Sequence, residues 1–206
     1  MYKRQVEDTL KIREFIEQHH PRSAVLAGGG FIGVELMENL RELGIDVTVV
    51  QRPRQLLNPL DADMAAFLHA KLRQKGVRLH LGCTVEGFAA NGDRVNVLLK
   101  DEAPLTADMV VLAIGVTPDT GLAKAAGLEL GIKGSILVND RMETSAPDIY
   151  AVGDAVQVKH FVTGQDTLLS LAGPANKQGR IAADNICGGD SRYPGSQGSS
   201  VIKVFD

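Results

Sequence analysis

The chain has 206 residues, 44% of them apolar, enough for one large domain or two small ones with buried cores. A formal net charge of −3 leaves no basic stripe of the kind nucleic-acid binders carry, and no apolar run reaches the ~18–20 residues of a membrane span. The polar first residues read without a secretory signal, and Cys83 and Cys187 show neither metal-ligand spacing nor a C-x-x-C pair, so a soluble, cytoplasmic protein without a metal is expected.

Residues 1–5 read as translated adapter or cloning-scar sequence and are set aside. A helix is predicted over 6–19, with Leu10, Ile12, Phe15 and Ile16 on one side and Pro21 ending it. His19 and His20 fall at its fraying end, where neighbours point apart, so they are not read as a metal pair. Residues 23–27 form a short apolar strand, and 28–33 a turn into a second helix. That helix carries Leu36, Met37, Leu40 and Leu43 at three- and four-residue spacing and is closed by Gly44. Residues 46–50 are nearly continuously apolar, as a parallel strand covered on both faces should be.

A third helix is predicted over 61–75, with Asp61 as N-cap, Met64, Phe67, Leu68 and Leu72 as its buried stripe, and Gly76 as its stop. Val77, Leu79 and Leu81 then alternate with Arg78 and His80, a strand pattern. Asn91-Gly92 between 85–88 and 95–99 signals a hairpin, and 109–114 reads as a strand ending at Gly115. The order β-α-β-α-β, hairpin, β predicts an α/β, Rossmann-like domain: a parallel sheet with a small antiparallel insertion. Beyond it, 136–138 and 149–152 read as short strands. Residues 175–186 read as a helix with Ile181, Ala182 and Ile186 on one face and Lys177, Gln178 and Arg180 on the polar one. Residues 201–205 read as a strand with nothing after it, so both ends look cut and a fragment is expected.

The chemistry concentrates in Gly28, Gly30 and Gly33. A G-x-G-x-x-G pattern gains meaning from context, and here it follows a strand, opens a helix and precedes a second strand. Gly28 permits the tight turn, Gly30 admits a pyrophosphate close to the backbone, and Gly33 lets helix and strand pack closely. Exposed N–H groups and the helix dipole then favour the phosphates. An acid at the end of the second strand would bind the adenosine ribose; this chain has Gln51, followed by Arg52 and Arg54. Gln51 does not repel a 2′-phosphate and the arginines can pair with one, so NADPH is expected to be accepted at least as well as NADH. The alternative is that both arginines are solvated loop charges.

Three blocks carry a resemblance to the flavoprotein pyridine nucleotide–disulfide oxidoreductases: GGGFIGVE at 28–35, LAIGVTP at 112–118 and TSAPDIYAVGD at 144–154. The stretch LAGPANKQGR at 171–180 is most similar to the coenzyme A-disulfide reductase and NADH oxidase branch, and the resemblance covers essentially all of 6–206. It implies an FAD enzyme taking hydride from NAD(P)H and passing it to a small-molecule disulfide, persulfide, peroxide or oxygen through a redox-active cysteine. On the NAD(P) side it implies roles for Phe31 over the flavin face, for Ile32 and Glu35 near the nicotinamide, and for Gly115 as a point of close approach. On the FAD side it implies that Gly153 and Asp154 hold the ribitol or pyrophosphate region. Leu171, Ala172 and Gly173 would lie beside the isoalloxazine, at a helix N-terminus that favours its reduced form.

The resemblance divides the chain into a terminal extension and linker helix (1–19), an NAD(P)-binding domain (20–118), the second segment of a split FAD-binding domain (119–190) and the start of a dimerisation domain (191–206). Family members also carry an earlier FAD segment with its own glycine loop and the redox cysteine, and they form homodimers. Cys83 and Cys187 do not match that cysteine and read as small buried or partly buried side chains. The fragment is therefore expected to bind NAD(P)H weakly and FAD poorly and to lack disulfide reductase turnover. A non-catalytic NAD(P)H-binding redox sensor is the reading from another class; the flavin block at 149–154 argues against it.

Overall fold

The computed structural model describes residues 5–205. Residues 1–4 of the adapter-like stretch, and Asp206, lie outside the described residues. Gln5 does not stand apart: its N–H donates to the Asp8 carboxylate (2.9 Å) and caps α1 (Val6–His19). The described chain divides into two compact units, one within Met1–Gly115 and Ile202–Asp206, the other Val116–Val201.

The first unit is built on a four-stranded parallel sheet in the order β3-β2-β1-β7: β1 (Ser23–Ala27), β2 (Asp46–Gln51), β3 (Arg78–Leu81) and β7 (Met109–Leu112). β1 is central, paired with β2 from Ser23↔Asp46 to Ala27↔Val50 and with β7 from Ala24↔Met109 to Ala27↔Leu112. Coverage on both faces is why its sequence does not alternate. Helix α2 (Phe31–Glu42) buries Val34, Met37 and Leu40 against Leu26, Val47 and Val49.

Helix α3 (Ala62–Gln74) corrects the expected stripe. Met64 and Phe67 are 55% and 74% exposed, while Ala65 and Leu72 are buried and Leu68 packs on the core. The inward stripe runs one position later, through a small residue that lets the helix approach closely. Asp61 takes the N-cap position but its side chain makes no cap bond.

A second sheet is antiparallel: β4 (Val85–Asn91), β5 (Arg94–Leu99) and β6 (Leu105–Ala107). The expected hairpin is thus the larger part of a three-stranded meander, and β6 was too short to read from pattern. Asn91 pairs with Arg94, so the turn residues are Gly92 (φ 59°) and Asp93, one position later than expected. Val97, Leu99 and Ala107 bury against Val25, Val50 and Cys83.

Three local expectations fail in this unit. Leu10 is 57% exposed, although Ile12, Phe15 and Ile16 do pack on the core. His20 is not frayed: it takes a left-handed φ of 46°, and its N–H donates to the Ile16 carbonyl (3.0 Å). The strand over 201–205 does not form. Instead Ile202, Val204 and Phe205 pack against the first core, and the Phe205 N–H donates to Glu38 (2.8 Å).

The second unit contains α4 (Gly121–Ala125), β8 (Val158–Lys159), β9 (Asp166–Thr167) and α5 (Ala172–Ile186) around Met142, Val156, Val158, Ala182 and Tyr193. The strands expected at 136–138 and 149–152 reduce to single bridges, Ile136↔Val156 and Glu143↔Tyr150 among them. Left-handed Met142 (φ 67°) and Asp148 (φ 60°) break the extended backbone before a ladder can propagate. Helix α5 begins three residues earlier than expected; Ala182 and Ile181 face the core and Lys177 and Arg180 are exposed as expected, but two positions differ. Gln178 is buried, whereas Ile186 is 63% exposed. Cys187, expected to be at least partly buried, is exposed. Among the described residues no helix is long and apolar enough to cross a membrane.

Candidate functional site: a dinucleotide turn and a flavin segment

In the first unit the C-terminal ends of β1, β2 and β7 converge on the glycine turn. Gly28 has φ +111°, donates to the Val50 carbonyl (2.9 Å), and packs so tightly on β7 that any Cβ would collide with the Ala113 carbonyl. Gly33, buried in the first turn of α2, has the Gly28 carbonyl where its Cβ would stand. These two glycines bring helix and strand together for steric reasons. Gly30 differs: it is the exposed N-cap of α2, and nothing lies within 4 Å of a Cβ placed there.

The Val34 N–H is the first to bond within α2, to the Gly30 carbonyl (3.0 Å). The amides of Phe31, Ile32 and Gly33 therefore face outward from the helix start, beside an N-cap without a side chain. That is a cradle for an anion, and a pyrophosphate fits its chemistry. Phe31 and Ile32 are 36% and 61% exposed, and Glu35 lies exposed one turn into the helix. Gly115, exposed with φ +107°, follows the end of β7.

Gln51 ends β2 beside the turn. Its Oε1 accepts the Gly29 N–H (2.9 Å), and its Nε2 reaches the Gln55 carbonyl only weakly (3.4 Å). The side chain thus spends its acceptor on the turn and keeps its donor end for other use. Arg52 and Arg54 are exposed and form no ion pair among the described residues. The loop after them bonds back to the turn, the Leu57 N–H donating to the Gly29 carbonyl (2.8 Å). It is also anchored to α3, the Leu56 N–H donating to His69 Nε2 (3.1 Å). Leu56, Leu57 and His69 were not singled out from sequence. The signal was there in a leucine pair inside a Pro- and Arg-rich loop, and in a histidine four residues after Ala65 on the inward stripe.

In the second unit Gly153 (φ +83°) opens a single 3-10 turn, Gly153–Ala155, that leaves the Asp154 carboxylate exposed. The Gly153 N–H donates to Gln178 Oε1 (2.7 Å), which ties this turn to α5. Sequence reasoning missed Gln178; its clue was the four-then-three spacing to Ala182 and Asn185, all buried. Leu171 is the N-cap of α5, and the exposed Ala172 and Gly173 occupy its first turn, with nothing within 4 Å of a Cβ on Gly173. A cleft of about 370 Å³ runs past Leu171, Gly173, Pro174 and Lys177. An exposed carboxylate suits a polyol hydroxyl and an open helix start suits an electron-rich ring edge, so these residues fit one flank of FAD.

The two cysteines, Cys83 and Cys187, stand in different surroundings. Burial, and then Glu102, push the Cys83 thiol up, away from a reactive thiolate. Cys187 is exposed at the C-terminal end of α5.

Comparison with known proteins gives the family. The family described as "Pyridine nucleotide-disulphide oxidoreductase" matches residues 2–179. The NAD(P)H sulfur oxidoreductase (CoA-dependent) of Pyrococcus abyssi is 36% identical over 97% of this chain and 44% of its own length. The NADH oxidase of Methanocaldococcus jannaschii is 37% identical over 98% of this chain and 45% of its own. The chain thus spans under half the length of these curated relatives. Among solved structures, the reduced Bacillus anthracis CoADR-RHD superposes with a TM-score of 0.94 at 48% identity, over 100% of this chain and 37% of that one. A Desulfovibrio vulgaris FAD-dependent pyridine nucleotide-disulphide oxidoreductase gives 0.87 at 38%, over 98% and 51%. An engineered water-forming NADPH oxidase bound to NADPH, made from the Lactobacillus brevis NADH oxidase, gives 0.92 at 29%, over 98% and 44%. On the glycine turn and these matches together, the chain belongs to the pyridine nucleotide–disulphide oxidoreductases, a Rossmann-type α/β family that works with FAD and NAD(P)H.

Proposed function

We propose that the first unit seats NAD(P)H on the glycine turn and that the second holds one flank of FAD. The chain then carries the electron-entry side of a flavoprotein oxidoreductase. The outward amides of Phe31, Ile32 and Gly33 beside the open Gly30 support this reading most directly. When bound, FAD supplies the acceptance of a hydride and its onward delivery. The residues of this chain hold the pyrophosphate, keep Phe31 at the mouth of the turn and place Glu35 one turn further along α2. Gly153, Asp154, Leu171, Ala172 and Gly173 contribute a hydroxyl acceptor and an open helix start.

The electrons are destined for coenzyme A disulfide or a related persulfide or polysulfide, delivered by a cysteine that is neither Cys83 nor Cys187. The surroundings of those two thiols support that assignment. Oxygen or peroxide is the second acceptor class. It is favoured by the NADH oxidase relative, as similar to this chain as the sulfur oxidoreductase. With neither Cys83 nor Cys187 assigned to that delivery, the chain by itself is expected to turn over no disulfide.

Nucleotide preference follows from Gln51 and Arg52. With its acceptor spent on Gly29, Gln51 offers a donor, which suits a 2′-phosphate better than a pair of ribose hydroxyls. The substitutions named for the engineered NADPH oxidase replace an aspartate by alanine and the next residue by arginine, and also an upstream glycine. The interval from that glycine to the aspartate equals the one from Gly33 to Gln51, which supports reading Arg52 as the counterpart of the arginine that enzyme gained. Titration of NADPH and NADH fluorescence against the chain tests this. NADPH should bind at least as tightly as NADH, and Arg52→Glu should weaken NADPH alone by about tenfold, the worth of one charge-assisted hydrogen bond. A strong preference for NADH contradicts the reading.

A further inference from the structure

The connection between β2 and α3 starts at Gln51, beside the glycine turn, carries Arg52 and Arg54, and is tied to α3 by one histidine. The Leu56 N–H donates to His69 Nε2 at 3.1 Å, so that nitrogen must be the unprotonated one. The Leu56 side chain is fully buried and fills the space a Cβ on Gly29 would need. Leu57, next along, holds a left-handed φ of 46° and donates to the Gly29 carbonyl (2.8 Å). A leucine keeps that conformation only where its surroundings impose it. On the other side of the loop, Gln51 accepts the Gly29 N–H (2.9 Å). Both polar groups of Gly29 are therefore held by the segment that carries Arg52, and His69 is that segment's tie to a rigid helix.

We propose that His69 is a positioning residue for nucleotide recognition: through Leu56 it fixes the 52–57 loop on the glycine turn, so that Gln51 and Arg52 face the adenosine end of the nucleotide. The inference rests on the nucleotide site proposed above. Burial, and then the Arg73 charge one turn along α3, hold the ring's pKa down and keep Nε2 free to accept. Loss of the tie frees Leu56, relaxes Leu57 out of its left-handed state and loosens Gly29 between the strand and the amides that face the phosphates.

The test uses the 206-residue chain with His69→Leu and His69→Gln, reading dissociation constants for NADPH and NADH and the cooperativity of thermal unfolding. The leucine variant should lose about tenfold in NADPH affinity, the worth of one charge-assisted contact misplaced, and less for NADH, which has no 2′-phosphate. His69→Gln, whose amide oxygen accepts the same N–H, should recover most of that loss. A leucine variant that unfolds cooperatively and binds both nucleotides like the wild type overturns the proposal. If the leucine variant does not fold, His69→Gln is compared with His69→Asn, whose shorter side chain cannot reach Leu56; equal NADPH affinities for the two overturn it. A wild-type chain that binds neither nucleotide would instead overturn the site itself.

Discussion

Alanine at Gly28 and alanine at Gly30 are chemically the same change two residues apart, and the structure predicts opposite outcomes. At Gly28 the backbone sits at φ +111°, a region closed to alanine without strain of about 1–3 kcal/mol. The new Cβ also meets the Ala113 carbonyl, a backbone oxygen just past β7 in a residue whose N–H donates to the Ala27 carbonyl (2.7 Å), and unable to swing away as a side chain would. Overpacking of that kind costs about 1–3 kcal/mol. Together they remove about 2–6 kcal/mol, which at roughly 2–4 °C per kcal/mol lowers the melting temperature by about 4–24 °C. At Gly30 the backbone is extended at φ −78°, and the Cβ meets nothing within 4 Å. Alanine there costs at most about 1 kcal/mol as a poorer N-cap. It does, however, occupy the space over the outward amides, and losing one or two of their charge-assisted bonds weakens NADPH roughly ten- to a hundredfold. Circular dichroism melts and NADPH fluorescence titration of both variants provide the readouts. A Gly28→Ala chain that melts with the wild type refutes the close approach of turn and β7. A Gly30→Ala chain that binds NADPH unchanged refutes the cradle.

Two further outcomes follow from groups outside the turn. Gln178→Leu leaves the Gly153 N–H without its acceptor and should cost about 1–3 kcal/mol in a urea titration, whereas Gln178→Glu, which keeps an acceptor, should cost less; unchanged midpoints in both would contradict the tie between the flavin turn and α5. Burial pushes the Asp108 carboxyl up, but the Arg22 and Ser23 amides, the Ser23 hydroxyl and Arg94 together outweigh it and hold its pKa below the ordinary value. Its contribution to stability is therefore present above about pH 4, the unfolded value, and is lost as pH falls through the folded one. Urea midpoints across the acid range should fall less steeply for Asp108→Asn than for the wild type, and identical slopes would contradict the network.

What was legible in the sequence was local. Gly28, Gly44 and Gly76 mark their turns because a positive φ is written into residue type, and β1 and β2 read correctly because burial on both faces leaves a continuous apolar run. What was not legible depended on partners distant in the chain. Gln178 looks like a surface residue until Gly153 supplies the N–H that makes its burial tolerable. Met64 and Phe67 look like core until Ala65 proves to be the point of contact. Val201 to Phe205 has strand composition, yet packing against the first core takes Val204 and Phe205 instead of a sheet. In the site itself the glycines and Gln51 were readable as motif, whereas His69 acts only through the backbone of a loop thirteen residues earlier.

The central claim is that NAD(P)H sits on the turn between β1 and α2, with its adenosine end toward Gln51 and Arg52. Amide chemical-shift mapping of the isotopically labelled chain during NADPH titration tests it most directly. The largest shifts are expected at Gly30, Phe31, Ile32 and Gly33, with a second group at Gln51 to Arg54 that is weaker with NADH. Shifts confined to other parts of the chain, or none at saturating NADPH, would contradict it.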